Sequence, residues 1–282
     1  MPDMQSSSGA KALQTYSVPS RPRASGLARL STGDIAALGR AREGRWQPGL
    51  SDQPLHSEIF ASTSDGSGAG VALALARDAL RLSGEIADPL ADAHDRRQVL
   101  WVQDKHSVRR GGRPYAQGLP AELRERVIHV EAATAQDALF ALEEGLRCRD
   151  LACVIGEISG NPRALDFTAS RRLSLAAEKH GVPLWLVRLD AAPELSSARI
   201  RWRSSCAPSP HPLLNSDAPG APEWRAELFR ARSHAPGEWI LSNDDGSLRA
   251  RHPSQIRAAN TQDHGDLVRP TFGRSLAAFA RM

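Results

Sequence analysis

The chain has 282 residues, 41% hydrophobic and 24% charged, with a net charge of +4 and a pI near 9.3, an ordinary globular composition with room for one large domain or one domain with appendages. Three cysteines, Cys148, Cys153 and Cys206, in no CxxC pair argue against a disulfide framework and a structural zinc site, and no apolar stretch reaches membrane-spanning length. The positive charge is mostly arginine, since lysine occurs only at Lys11, Lys105 and Lys179; it permits nucleic-acid or acidic-protein partners and requires neither.

Residues 1–26, rich in Ser, Pro, Ala and Arg and without an apolar signal core, are predicted to form a flexible arm of a cytoplasmic protein. A short helix is expected at 31–41, started by Ser31 with Asp34 three residues on. From there strands and helices alternate. Strand 54–62 carries alternating Leu55, Ser57 and Ile59, and helix 70–83 follows a glycine-rich turn. Residues 97–104 read as a buried strand, 106–118 as a mobile basic loop, 119–126 as a short helix and 127–131 as a strand. Helix 134–148 puts Ala138, Leu139, Leu142 and Leu146 on one face. Strand 151–159 is apolar and buries Cys153. Helix 165–181 turns Leu165, Thr168, Leu173 and Ala176 inward and ends at Gly181, and 182–189 is another buried strand. Continuous apolar runs separated by crossover helices specify an α/β doubly wound core with a mostly parallel sheet. After residue 190 the segments 196–207, 223–233 and 237–244 alternate as antiparallel strands do, with a proline-rich loop at 208–223. Residues 244–282 carry few core-forming side chains and are expected to be a largely disordered tail, in which Leu276 and Phe279 stand at helical spacing.

The stretch "SDGSGAGVALALA", residues 64–76, is where chemistry is expected. Gly66, Gly68 and Gly70 stand between a strand and a helix, the context of a phosphate-binding loop. Such a loop needs a lysine for the β- and γ-phosphates and a hydroxyl for Mg²⁺. In one frame these positions are Ala69 and Gly70, in another the lysine is replaced by Ser67, and no frame supplies a lysine. Glu157, near the end of a buried strand, is the candidate Mg²⁺ carboxylate, with Gln103 and Asp104 ending a second strand. Gly66, Ser67, Gly68, Gly70 and Glu157 therefore outline a degenerate nucleotide site. No cofactor is predicted, and ATP is the one candidate ligand.

Four stretches, in order, resemble the ImuA family, RecA-like proteins encoded beside error-prone polymerases of bacterial damage-induced mutagenesis. They are "LHSEIFASTSDGSGAGVALALA" (55–76), "VLWVQD" with "GRPYAQGL" (99–104 and 112–119), the block 138–188, and "ARIRWRSSCAPS" with "WRAELFRARSHAPGEWIL" (198–209 and 224–241). The block 138–188 is the most specific, and the likeness spans roughly 25–245. The resemblance implies a RecA-like domain over 27–243 with an altered nucleotide site and a role in the SOS response and translesion synthesis. It implies as partners an inactive Y-family-like polymerase subunit (ImuB), an error-prone C-family polymerase and RecA. It brings no established catalytic residues. Relative to RecA this chain departs at the loop lysine and at the Mg²⁺-site aspartate, where Gly156 or Glu157 falls.

Two basic surfaces are candidates for DNA or partner contact. Arg171 and Arg172 lie on helix 165–181, where a solvated helix face is the better explanation. Arg199, Arg201 and Arg203 share one strand face with Trp202 on the other, an arrangement that also keeps an edge soluble. Trp202 and Trp224 read as core residues. Three functions stay open: a non-catalytic accessory factor with a docking segment around Leu276 and Phe279, an ATP-binding or weakly hydrolysing DNA-binding protein, and a SulA-like division inhibitor.

Overall fold

The computed structural model describes residues 55–87, 97–212, 215, 218–232, 234–243 and 248–253. The arm at 1–26, the helix at 31–41 and the segment with Leu276 and Phe279 lie outside the described residues.

The alternation of apolar strands and helices builds one mixed nine-stranded sheet in the order β3-β2-β4-β5-β1-β6-β7-β8-β9. Its strands are β1 (His56–Ala61), β2 (Gln98–Asp104), β3 (Val127–Ala132), β4 (Leu151–Ser159), β5 (Leu184–Leu189), β6 (Ile200–Ala207), β7 (Glu223–Ala231), β8 (Gly237–Ser242) and β9 (Arg249–Arg251). Pairings among β1 to β6 within this order are parallel. Those from β6 through β9 are antiparallel. The expected architecture, a mostly parallel sheet with antiparallel C-terminal strands, is what the chain adopts.

The helices are α1 (Ser67–Ala87), α2 (Lys105–Gly111), α3 (Ala135–Arg147) and α4 (Phe167–His180). Side chains alternate across a strand, so each strand feeds two cores. On one face α1 packs Val71 and Leu75 against Ile59, Ile155, Trp185, Val187 and Trp202. On the other, α3 and α4 bring Leu139, Leu142, Leu146 and Leu173 to Leu100, Val154, Leu184 and Leu186. Helix α3 starts on a capping box between Thr134 and Asp137. Helix α4 starts at Asp166, whose carboxylate accepts from Ala169 N–H at 2.7 Å, and ends at left-handed Gly181 (φ 71°), as its sequence predicts. Among the described residues no helix is long and apolar enough to cross a membrane.

Four local expectations change. Residues 105–111 are helix α2, not loop, because Asp104 caps Ser107 N–H at 2.6 Å and Ser107 is buried. The helix expected at 119–126 reduces to a 3-10 turn, Ala121–Leu123, since Leu119 and Leu123 are anchors enough for a single turn. Helix α4 faces inward with Ala169, Ser170, Leu173, Ser174 and Ala177; Thr168 is exposed and Ala176 half-buried. Its buried serines meet a polar partner. Ser170 and Ser174 hydrogen-bond Ser197 at 3.0 and 2.6 Å, and Ser174 also meets His56 Nδ1 at 2.7 Å. Part of the expected tail is a strand: β9 pairs with β8, Leu248 is buried and Arg251 binds Glu223.

Candidate functional site

Strand β1 ends at Ala61, residues 62–66 turn, and α1 begins at Ser67. Gly68 and Gly70 therefore belong to the helix. A Cβ on Gly68 would stand 2.7 Å from Val187 and 2.8 Å from Ala61, and one on Gly70 would stand 2.5 Å from the Trp224 indole. These glycines let α1 approach the sheet. Gly66 alone lies in the turn, with open space around it. Positive φ occurs among the described residues at Asp190, Gly112, Gly160 and Gly181, and at none of the three loop glycines.

The turn's polar groups are occupied from within the chain. Asp190, just after β5, accepts Thr63 N–H at 3.1 Å, Thr63 Oγ1–H at 2.5 Å and Ser62 Oγ–H at 3.2 Å. These bonds hold its carboxyl below the usual carboxylate range, with Arg110 adding its charge at 3.0 Å. Asp190 is itself tied back, its N–H donating to Ala61 C=O at 2.9 Å. Asp65 accepts Ser67 N–H at 2.9 Å and Cys206 N–H at 3.4 Å. Amides at a helix N-terminus are the donors an anion uses. Here two carboxylates of the chain itself take donors of the turn and the helix start.

Beside the turn, at the carboxyl ends of the parallel strands, lies a cleft of about 270 Å³. Ligands of open α/β sheets bind at such strand ends. Of the predicted residues, Gly66, Gly70 and Glu157 line this cleft; Ser67 is buried with its hydroxyl 3.2 Å from Ser204, and Gly68 faces β1 and β5. Glu157 accepts the Trp101 Nε1–H at 2.7 Å. Burial pushes its carboxyl up, against the hydrogen bonds from Trp101 and Gln103, with Asp104's charge adding to the rise. Asp104 is committed as a cap: besides Ser107 it accepts Ser159 N–H at 3.2 Å. The arginine at the cleft, Arg113, is paired with Glu131 at 2.5 Å. Sequence reasoning missed Thr63, Asp65, Trp101 and Asp190. Asp65 sits within the quoted stretch, but nothing local marks its partner Cys206 or joins Asp190 to Thr63.

The five candidate arginines separate. Arg201 is buried, its Nε 2.7 Å from Glu58 Oε2 and its guanidinium 4.9 Å above the Phe60 ring, so it is not on the surface. A break in the β6/β7 register between Arg201 and Trp202 accompanies this. Arg203 is exposed, paired with Glu227 at 2.5 Å and stacked 5.0 Å over Phe229. Arg199 pairs with Glu178, and Arg172 stands 3.4 Å from Glu143 on α3. Arg171 stays exposed on α4. Trp202 is fully buried, and Trp224 packs half-buried over Gly70.

No protein-family model matches the chain. Two proteins named Protein ImuA, from two strains of Caulobacter vibrioides, are each 33% identical to it over 186 residues. That span covers 62% of this chain and 71% of each relative. One identical residue in three, held over most of the relatives' length, is shared ancestry and not a shared glycine turn: the chain belongs to the ImuA family.

Proposed function

We propose that this protein is a non-catalytic, RecA-like accessory factor of SOS-induced, error-prone translesion DNA synthesis, working in the cytoplasm through contacts with the mutasome polymerases and RecA. The 27–243 region is its RecA-like domain and the segment around Leu276 and Phe279 a docking element. Family membership supports the pathway. Support for the fold is the strand–turn–helix of β1 and α1 at the carboxyl ends of a parallel sheet, with Glu157 on β4 across the cleft. One observation carries the non-catalytic reading: Asp65 and Asp190 take amides of the turn and helix start, and no lysine stands there to offset a phosphate's charge.

Titration with Mg²⁺-ATP, with and without single-stranded DNA, tests this directly. The expected result is no binding at millimolar ATP in either case. In cells, Gly66→Leu fills open space at the cleft and is expected to leave damage-induced mutation frequency at the wild-type level. Binding of ATP, or loss of mutagenesis in this variant with the protein still folded, overturns the reading. The cleft beside Glu157 favours one second reading, an ATP-binding DNA-binding protein, for which Glu157→Ala would abolish turnover.

A further inference from the structure

Away from the cleft, a groove of about 620 Å³ runs along the outer side of α4, bounded by residues 195–199 and the end of β7. The exposed face of α4 carries Phe167, Arg171 and Leu175 at four-residue spacing, and Leu195 stands across from it. Phe167, Leu175 and Leu195 are 40%, 54% and 67% exposed. Arg230 and Arg232, both exposed, line the same groove. Glu178, the one carboxylate there, is taken by Arg199. Arg171, Arg230 and Arg232 have no carboxylate partner among the described residues, whereas Arg203, Arg225, Arg113 and Arg147 all do.

We propose that this groove binds an acidic amphipathic segment of a partner protein, its carboxylates on Arg171, Arg230 and Arg232 and its apolar side chains on Phe167, Leu175 and Leu195. Charge complementarity selects the occupant. Three guanidiniums without a carboxylate partner among the described residues favour carboxylates, which they grip in bidentate fashion. The exposed leucines favour apolar side chains, and an amphipathic helix in a groove supplies both. A nucleic-acid strand would use the arginines and stack at most on Phe167, leaving Leu175 and Leu195, which give bases no stacking platform, uncovered. From Phe167 to Glu178 the groove wall is about 17 Å long at 1.5 Å per residue, room for roughly three turns of a docked helix. The proposal rests on the groove alone and holds whether or not the cleft takes a nucleotide or the protein serves mutagenesis.

The probe is a fluorescein-labelled peptide of ~18 residues, long enough to form a helix when bound, with leucines at every third and fourth position and glutamates between. Its anisotropy is followed with the full chain at ~150 mM salt, where long-range steering is screened. A micromolar Kd is expected, weakened at least about tenfold by R171E/R230E and by Leu195→Ser, and unchanged by Arg203→Glu. All these substitutions are on exposed residues, and melting curves establish that each variant is folded. A scrambled peptide of the same composition is expected to bind at least about tenfold more weakly. The proposal is overturned by absence of binding, by equal affinity in R171E/R230E, or by labelled oligothymidylate binding more tightly through the same arginines. A dimer in sedimentation that R171E/R230E abolishes would equally overturn it, making the groove a self-association surface.

Discussion

The cleft beside Gly66 and the groove along α4 are built with opposite economies of charge. In the cleft, the carboxylates Asp65 and Glu157 outnumber the one guanidinium among the described residues and all are already used: Asp65 caps Ser67, Glu157 accepts Trp101, and Arg113 is bound to Glu131, while Asp190 beside it holds Thr63. In the groove, guanidiniums outnumber carboxylates, and Arg171, Arg230 and Arg232 face solvent with exposed leucines beside them. A site that has satisfied its own donors offers little to a small anion; one that has not offers both charge and apolar area to a partner. The comparison locates binding capacity on α4, away from the strand ends where α/β folds ordinarily keep it.

The sharpest way to break the groove is beneath it. Glu58 on β1 is fully buried between Arg201 at 2.7 Å and Arg188 at 3.6 Å, and Ser196, which lines the groove, donates to its other oxygen at 2.8 Å. Removing the carboxylate leaves two buried guanidiniums uncompensated. Glu58→Ala is expected to lose about 3–5 kcal/mol in urea unfolding. Asp190→Asn, the matching change at the half-exposed cleft rim, is expected to cost only about 1 kcal/mol.

Acid separates the two regions as well. His56 bonds Ser174 beneath α4, and burial pushes its pKa down to about 4, with Arg201 adding to the fall and Glu58 and Glu178 opposing it. The unfolded chain therefore takes up this proton first as pH drops. Stability from His56 is complete above pH 6.5 and is lost as pH falls toward 4, by about 3 kcal/mol in total. Urea midpoints at a series of pH values check this, and His56→Asn is expected to flatten that part of the profile.

The sheet was readable because buried parallel strands are continuous apolar runs, and every strand from β1 to β8 lies within a few residues of its expected place. What sequence could not show was charge meeting charge across the fold. Arg201 reads as an outward residue of an alternating strand, yet its carboxylate lies 143 residues away. Asp190 and Thr63 are 127 apart. Helix α2 is not legible because its one apolar residue, Val108, sets no apolar period, and its cap, Asp104, belongs to the preceding strand. The inward face of α4 was misphased because two of its buried positions are serines, which count as polar until Ser197 and His56 are seen opposite them. Arg230 and Arg232 join Arg171 only in the folded chain, where the end of β7 and α4 line one groove.

The glycines sharpen the cleft side. Gly68→Ala places a methyl 2.7 Å from Val187 and 2.8 Å from Ala61. Overpacking of about 1–3 kcal/mol offsets or exceeds the roughly 1 kcal/mol that alanine returns to the helix, so a net loss of about 0–2 kcal/mol is expected in thermal unfolding. Gly66→Ala meets nothing within 4 Å and is expected to leave stability within about 0.5 kcal/mol of wild type. A loop shaped to cradle phosphate would reverse the order, with the turn glycine the intolerant one.

The smallest effect decides what Glu157 is for. Burial raises its pKa, so the folded chain keeps this proton to a higher pH than the unfolded chain does. The stability it contributes is present below pH 4.5 and is lost as pH rises through the raised value, so that at higher pH the burial of this carboxyl is a cost to the fold. Glu157→Gln removes that cost and keeps an oxygen for the Trp101 N–H. It is expected to raise the melting temperature at pH 7.5, and the gain should vanish toward pH 4.5. A carboxylate whose work is to hold Mg²⁺ beside a nucleotide must be ionised, and neutralising it would forfeit any stabilisation by Mg²⁺-ATP. A gain in stability with Mg²⁺-ATP making no difference to either protein assigns Glu157 to the wall of a closed account, and leaves α4 as the face on which this fold meets other molecules.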